Sequence, residues 1–333
     1  DFMNGSSLPN IILLMTDQQR GDCLGIDGHP DLLTPNLDAL AALGTRFRRA
    51  YSTCPSCIPS RRALLTGRHP INNGLCGFRD GVPITTQTLP RILRDAGYQT
   101  ALVGRSMHQF PSSARYGYET IDPASNYELD RFHWHLREAT GQVDGMGALG
   151  LDYNGWNARP WHTDEALHPV CLVVNQALTF LENRDQTCPF FLTVSLYAPH
   201  PPFCPPAYYF ERYLRKELVP PVVGNWVEYP EDSPAGLPVN SPRVRLRGEA
   251  LHSQDTMGRS TTLTINSRVC FPEWDRTERC GTTCRIQSLS LRPITGKCSA
   301  TTVISENANP TRDPLVFRFS LPVGGIPASG KTM

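Results

Sequence analysis

The sequence predicts an α/β protein with a mostly parallel sheet covered by helices, because apolar strands alternate with helices over roughly the first 200 residues. Two strand candidates are rich in branched or aromatic residues, as buried parallel strands are: NIILLM (10–15) and FFLTVSLY (190–197). A third candidate, TALVG (100–104), directly follows a predicted helix. Such folds bind ligands beyond the carboxyl ends of their strands. The polar residues that follow each strand are therefore the first candidates for a functional site.

Three helices fit between these strands. The first has Pro35 at its first helical position and stops before Gly44. The second has an apolar face within residues 89–96 and is closed by Gly97, and the third covers about residues 165–183.

Composition indicates an ordinary globular protein with no global attraction to polyanions. The chain has 333 residues, 40% of them hydrophobic, and a formal charge of +1. We therefore expect no nucleic-acid partner, and any recognition of an anion must be local. The apolar run at 11–15 is too short to span a bilayer, so no membrane span is expected. The first residues lack the features of a signal peptide, which predicts a cytoplasmic protein, or a periplasmic or secreted one if a leader has been removed.

Three regions are predicted along the chain. Residues 8–218 form the α/β domain, and the Pro-rich residues 219–252 form a surface excursion or linker. Residues 253–333 are expected to be irregular, because Ser, Thr, Arg and Cys are frequent at 253–300 and no period of 2 or 3.6 is sustained there. One hypothesis is that this divergent tract is an out-of-frame translation.

The stretch CPSC (54–57) admits several interpretations. The spacing of Cys54 and Cys57 can indicate a thioredoxin-like redox pair. A zinc site is disfavoured, because the other close cysteine pair has no neighbouring histidines. A third interpretation begins from the helix signals that follow, with Pro59 in the first turn and Gly67 at the end. These signals predict Cys57 at a helix N-terminus, where unpaired N–H groups favour an anion.

The window CIPSRRALLTGR (57–68) matches C-x-P-S-R-x-x-L-x-T-G-R in full, and on it the chain resembles the sulfatase family of the alkaline-phosphatase-like superfamily. The resemblance covers roughly the first 250 residues and extends to the segments TDQQRGD, TPNLDALAALGTRFRRAY, TALVGRSMH and YAPHPPF. It implies a three-layer α/β/α fold. It also implies that Cys57 is converted to formylglycine by a formylglycine-generating enzyme, and that the aldehyde hydrate supplies the oxygen that attacks sulfur.

The resemblance further implies a divalent metal, Ca²⁺ before Mg²⁺, held by Asp17, Gln18 and the modified Cys57. Oxygen donors of this kind suit a hard cation. Family members carry a second metal-binding segment in their later half, with aspartate followed by histidine or asparagine. In this sequence no aspartate after residue 200 is followed by either residue. The metal site is therefore expected to be incomplete.

The catalytic residues implied by the resemblance are Cys57, Arg61, Arg105, His108 and His200. Arg61 would hold formylglycine and its charge, while Arg105 and His108 would approach the sulfate. Arg105 stands where the family has lysine, and guanidinium keeps the charge but donates no proton. His200 is therefore the leading general acid. Four other histidines could line a substrate pocket, although surface positions are favoured for them: His133, His135, His162 and His168.

Together these observations predict a sulfuric ester hydrolase that acts on sulfate monoesters of small molecules or carbohydrates. Two alternatives stay open within the superfamily: a phosphonate or phosphodiester hydrolase, and a catalytically inactive homologue without a complete metal site. A redox protein that uses Cys54 and Cys57 is the third alternative.

Overall fold

The computed structural model describes residues 8–124, 131–141, 150–151, 158–218, 298–306 and 316–318. Within these ranges, seven strands form one sheet. They are β1 (Asn10–Asp17), β2 (Thr45–Phe47), β3 (Gln99–Gly104), β4 (Thr120–Pro123), β5 (Phe190–Ser195), β6 (Cys298–Glu306) and β7 (Val316–Arg318).

Seven α-helices accompany the sheet in the described part of the chain. They are α1 (Pro35–Leu43), α2 (Cys57–Thr66), α3 (Pro70–Asn73), α4 (Leu89–Asp95), α5 (Arg131–Thr140), α6 (Pro169–Asn183) and α7 (Ala207–Leu214). The three helices predicted from sequence correspond to α1, α4 and α6, and the last of them begins a few residues later than expected. None of the described helices has the length and hydrophobicity needed to cross a bilayer.

The sheet is mostly parallel, as predicted. Its strand order is β2-β7-β6-β1-β5-β3-β4. The four pairings among β6, β1, β5, β3 and β4 are parallel, whereas β7 pairs antiparallel with both β6 and β2. Because the five parallel strands run in one direction, their carboxyl ends lie along the same edge of the sheet.

Helices cover both faces of this sheet. In β1, the side chains of Ile12 and Leu14 belong to a hydrophobic cluster that includes α1 and α6. Leu13 and Met15, which point to the opposite face, belong to a second cluster that includes residues of α2 and α4. Two apolar faces on one strand require a helix layer on each side, so the three-layer α/β/α arrangement is confirmed.

Two strands come from the region in which the sequence analysis assigned no element. The strand β6 contains the β-branched run Thr301–Ile304, which suits a pleated ladder between two neighbours. It pairs with β1 over the full length of that strand, from Asn10 to Asp17. The linker at 219–252 lies outside the described residues, and the three domain boundaries stay predictions.

A close approach of the strands β3 and β5 requires glycine at position 104, the last residue of β3. Its φ is 88°, and a Cβ atom there would collide with the backbone carbonyl of Ser195. We expect Gly104→Ala to lower the free energy of unfolding by more than about 2 kcal/mol, because the strain of a positive φ adds to a clash with rigid backbone. Gly97→Ala is the matched control, because φ is 90° but no atom lies within 4 Å of the added methyl.

Chemical denaturation of both variants measures the difference. The control should lose only about 1 kcal/mol. Equal losses in the two variants would contradict the close approach of β3 and β5.

Candidate active site

Polar residues from three strands meet at the carboxyl edge of the sheet. The strand β1 ends at Asp17, β3 leads directly into Arg105, and β5 ends at Ser195. Backbone hydrogen bonds fix these ends to each other: the N–H of Arg105 donates to the carbonyl of Ser195 at 2.7 Å, and that of Asp17 donates to Ala198 at 3.3 Å. The side chains that follow the strands are therefore held at one place on a rigid frame.

The helix α2 brings Cys57 to this edge. It begins at Cys57, after Ser56 in an extended conformation, and the N–H of Ser60 donates to the Ser56 carbonyl at 3.0 Å. It ends where Gly67 adopts a left-handed conformation with φ of 63°. Both ends agree with the helix predicted from the motif. Cys57 is half-buried in the first turn, where backbone N–H groups without helical partners favour a bound anion.

Arg61 connects α2 to all three strand ends. Its side chain is completely buried, and its Nη2 lies 3.2 Å from Oδ2 of Asp17. Its Nη1 donates to the carbonyl of Ser106 at 2.9 Å and to Oγ of Ser195 at 3.1 Å. A buried guanidinium requires such partners, because burial without them is very unfavourable. One side chain therefore fixes the start of α2 against the sheet edge.

Arg105 places a second guanidinium on the same carboxylate. It is buried, its Nη1 pairs with Oδ2 of Asp17, and its guanidinium carbon lies 4.8 Å from the ring centroid of Tyr197. Asp17 is therefore flanked by Arg61 and Arg105. Two guanidinium groups held at one place are suited to binding an anionic ligand.

His108 lies next to these arginines in an unusual backbone conformation, with φ of 52°. Burial, followed by the positive charges of Arg61, Arg105 and His200, lowers the pKa of His108 to about 3. Its Nε2 is buried and accepts or donates no hydrogen bond within the described residues. His108 is thus neutral at physiological pH, and its charged form is not available to protonate a leaving group.

His200 has a different environment. It is buried, and its Nδ1 donates to the carbonyl of Pro201 at 2.7 Å. This hydrogen bond fixes the orientation of the imidazole ring and makes Nδ1 the protonated nitrogen of the neutral form. Its ring lies 4.7 Å from that of Tyr197, centroid to centroid. The structure therefore links His200 to Arg105 through one aromatic side chain.

Oxygen donors for a metal ion are present at this edge, but the described side chains do not form a complete cluster. Gln18 directly follows Asp17 and has a positive φ of 59°. No three His, Cys, Asp or Glu side chains among the described residues lie close enough together to hold a metal. The backbone register adds a candidate that the sequence analysis missed, because Glu306 at the end of β6 pairs with Asp17.

The signal for Glu306 was present in the sequence in a different form. The search for a second metal-binding segment asked for aspartate before histidine or asparagine, whereas this chain has Glu306 followed by Asn307. Glutamate offers the same carboxylate on a longer side chain. Glu306 is a candidate because it pairs with Asp17 in the sheet, and this pairing could not be obtained from composition.

One histidine position predicted from sequence is wrong. His168 was expected at the surface with His133, His135 and His162, but it is buried. It caps α6, because its Nδ1 accepts from the N–H of Val170 at 3.2 Å. Of the others, His135 and His162 are exposed and His133 is half-buried. His168 therefore has a structural role as the cap of α6. The sequence signal for this role is Pro169, because proline is common at the first position of a helix.

Comparison with known proteins identifies the family of this chain. A model of the sulfatase family matches residues 9–221, well over half of the chain. The chain belongs to the sulfatase family. It is 36% identical over 260 residues to an arylsulfatase of Clostridium perfringens, an alignment covering 73% of this chain and 54% of that protein. It is 32% identical over 211 residues to the human N-acetylgalactosamine-6-sulfatase, covering 58% of this chain and 40% of that protein.

Solved structures share the fold of this sulfatase-family chain. The phosphonate monoester hydrolase of Agrobacterium radiobacter superimposes with a TM-score of 0.65 at 20% identity, covering 94% of this chain and 68% of that one. A protein solved in complex with its substrate D-glucosamine-2-N,6-O-disulfate has a TM-score of 0.59 at 18% identity, covering 93% and 71%. The chain spans about half, or less, of the length of the curated relatives described above.

We expect Arg61→Met to lower the free energy of unfolding by about 3–5 kcal/mol, because it leaves a buried carboxylate with one partner fewer. Arg68→Met is the control, since Arg68 is exposed just beyond the end of α2 and should change stability by less than about 0.5 kcal/mol. Urea denaturation followed by circular dichroism measures both. If the two variants were equally stable, Arg61 would not connect α2 to the sheet as described.

Proposed function

We propose that this chain is a sulfuric ester hydrolase that cleaves sulfate monoesters. The observation that carries the proposal is the position of Cys57, one helical turn before a fully buried Arg61 that pairs with Asp17. Arg105 and His200 approach the same carboxyl edge. Membership of the sulfatase family supports the same reaction.

Each chemical requirement of sulfate transfer has a residue to meet it. After conversion to formylglycine, residue 57 would supply the nucleophilic oxygen. Arg61 and Arg105 would neutralise the nonbridging oxygens of the ester, because their guanidinium groups are buried and held in fixed positions. Asp17 keeps both guanidinium groups in place, so little reorganisation is needed when the charge of the transition state develops.

Proton transfer to the leaving oxygen is assigned to His200. Arginine does not donate a proton under these conditions, which excludes Arg105 from the role. His108 stays neutral because its pKa is lowered to about 3, and it would instead hydrogen bond to a sulfate oxygen. Nδ1 of His200 donates to the Pro201 carbonyl, which orients the imidazole, and the imidazolium form would give its Nε2 proton to the leaving oxygen.

A divalent cation is proposed as cofactor, with Ca²⁺ before Mg²⁺. Asp17, Gln18 and residue 57 are the ligands implied by the family, and we add Glu306 because its strand position is directly beside Asp17. All are oxygen donors once residue 57 is oxidised, which suits a hard cation. Such an ion would polarise a sulfate oxygen and add to the positive charge that the two arginines provide.

For the substrate, we propose an aryl or carbohydrate sulfate. The names of the relatives point to both classes, since one is an arylsulfatase and another an N-acetylgalactosamine-6-sulfatase. A phosphonate monoester is the second candidate, because a hydrolase of such esters shares the fold and because two guanidinium groups bind phosphonate as well as sulfate. The required partner during maturation is a formylglycine-generating enzyme.

The proposal predicts that protein co-produced with a formylglycine-generating enzyme hydrolyses a generic aryl sulfate, and that Cys57→Ala abolishes the activity. Cys54→Ala is the matched control, since Cys54 carries a free thiol three residues away and has no role in the reaction. Release of the phenol is followed by absorbance. An aryl phosphonate monoester is assayed in parallel.

The outcomes separate the candidates. Faster turnover of the phosphonate than of the sulfate favours the second candidate. Absence of turnover in protein whose residue 57 is demonstrably oxidised favours the inactive homologue. A disulfide between Cys54 and Cys57 in protein without turnover would instead support the redox interpretation.

Glu306→Gln should weaken calcium binding by about tenfold or more. Loss of a residue that only hydrogen-bonds to a metal ligand already lowers metal affinity by about 10- to 100-fold, and Glu306 is proposed as a ligand itself. Glu182→Gln, at an exposed position near the end of α6, should leave the affinity unchanged. Calorimetric titration of calcium into the metal-depleted protein gives the affinity without reference to activity. Identical affinities in the two variants would remove Glu306 from the proposed ligands.

A further inference from the structure

Tyr197 lies between two groups on which the proposed reaction depends. Its ring centroid is 4.8 Å from the guanidinium carbon of Arg105 and 4.7 Å from the ring centroid of His200. The rings of Tyr197 and His200 are tilted by 48°. Tyr197 is buried, with 4% of its surface exposed. A single ring therefore contacts both the sulfate-binding arginine and the general acid.

The two contacts are attractive for different reasons. A guanidinium over an aromatic face is attracted by the ring quadrupole, most strongly where water is excluded. Two aromatic rings at this separation pack favourably in a tilted arrangement. Arg105 is thus held by the carboxylate of Asp17 and by the face of Tyr197. An arginine side chain has considerable rotamer freedom, and fixing it before the substrate binds removes part of the entropic cost of binding.

The backbone keeps Tyr197 and His200 in a fixed relation. The N–H of His200 donates to the carbonyl of Tyr197 at 3.1 Å, which closes a turn over these four residues. The preceding residue, Leu196, donates its N–H to the carbonyl of Met15 in β1 at 2.8 Å. The backbone that leads into this turn is therefore attached to the central strand β1, and Tyr197 and His200 lie within the same turn.

We propose that Tyr197 is a positioning residue, which holds Arg105 and His200 in their working orientations through its aromatic ring. This inference rests on the proposed function for its kinetic consequences, but its effect on anion binding is independent of turnover. Loss of the ring frees Arg105, which weakens binding of the sulfate group. It also frees His200, which impairs protonation of the leaving oxygen most strongly when that oxygen is a poor leaving group.

The test compares Tyr197→Leu with Tyr197→Phe, which keeps the ring. The first readout is the affinity for inorganic sulfate, measured by calorimetry in a Cys57→Ala background so that no turnover is required. Tyr197→Leu should weaken sulfate binding by about tenfold, a value typical of a buried cation–π contact. Tyr197→Phe should restore the affinity to within about twofold. Tyr208→Leu, on the exposed face of α7, is the control and should have no effect.

The second readout is kinetic and uses the enzyme with Cys57 intact. Tyr197→Leu should raise KM for an aryl sulfate, and it should lower kcat more for an alkyl sulfate than for a nitrophenyl sulfate. If Tyr197 only supported the fold, its replacement would lower kcat by the same factor for both substrates. If Tyr197→Leu does not fold, as judged by circular dichroism, Tyr197→Met fills a similar volume without a ring and takes its place.

The results distinguish this inference from the proposed function. Weaker sulfate binding in the ringless variant, with no turnover by the unaltered protein, retains the role of Tyr197 and overturns the sulfatase activity. The role of Tyr197 is overturned if the unaltered protein turns over but the ringless variant keeps its sulfate affinity and loses the same factor in kcat for both leaving groups. A Phe variant as impaired as the Leu variant also overturns it, because the ring alone would then be insufficient.

Discussion

The buried contact between Arg61 and Asp17 determines how the rest of the site is assembled. Arg61 is completely buried, and its guanidinium is paired with Asp17 and hydrogen-bonded to Ser195 and to the carbonyl of Ser106. A charge in this environment is tolerated only while its partners stay in place. The first turn of α2, and Cys57 with it, is therefore held in one position relative to the strand ends.

The same contact bears on the separate roles proposed for the charged and titratable residues of the site. Asp17 is shared by Arg61 and Arg105, so two guanidinium groups lie at one place although the whole chain carries only +1. Burial, together with the charges of these arginines, lowers the pKa of His108 and keeps it neutral. In the proposed reaction His200, held at Nδ1 by the Pro201 carbonyl, moves the proton. The proposal therefore gives anion binding and proton transfer to different residues.

Local patterns in the sequence were sufficient for part of this picture. The helix that begins at Cys57 was predicted from Pro59 and Gly67, because the signals that start and stop a helix lie in the helix or directly beside it. Tyr197 and Glu306 were not predicted, because their importance depends on which strand ends meet at the sheet edge. Glu306 pairs with a strand almost 290 residues earlier in the chain, and no local period reports such a register.

The central claim is that the chain uses this edge, with an oxidised residue 57, to transfer sulfate. Mass spectrometry of the peptide that contains residue 57 tests it most directly, on protein produced with and without a formylglycine-generating enzyme. The account predicts that co-production replaces the thiol by an aldehyde or its hydrate at that residue, and that Cys54 stays unmodified. An unchanged thiol at residue 57 despite an active maturation enzyme, or a disulfide between Cys54 and Cys57, would contradict it.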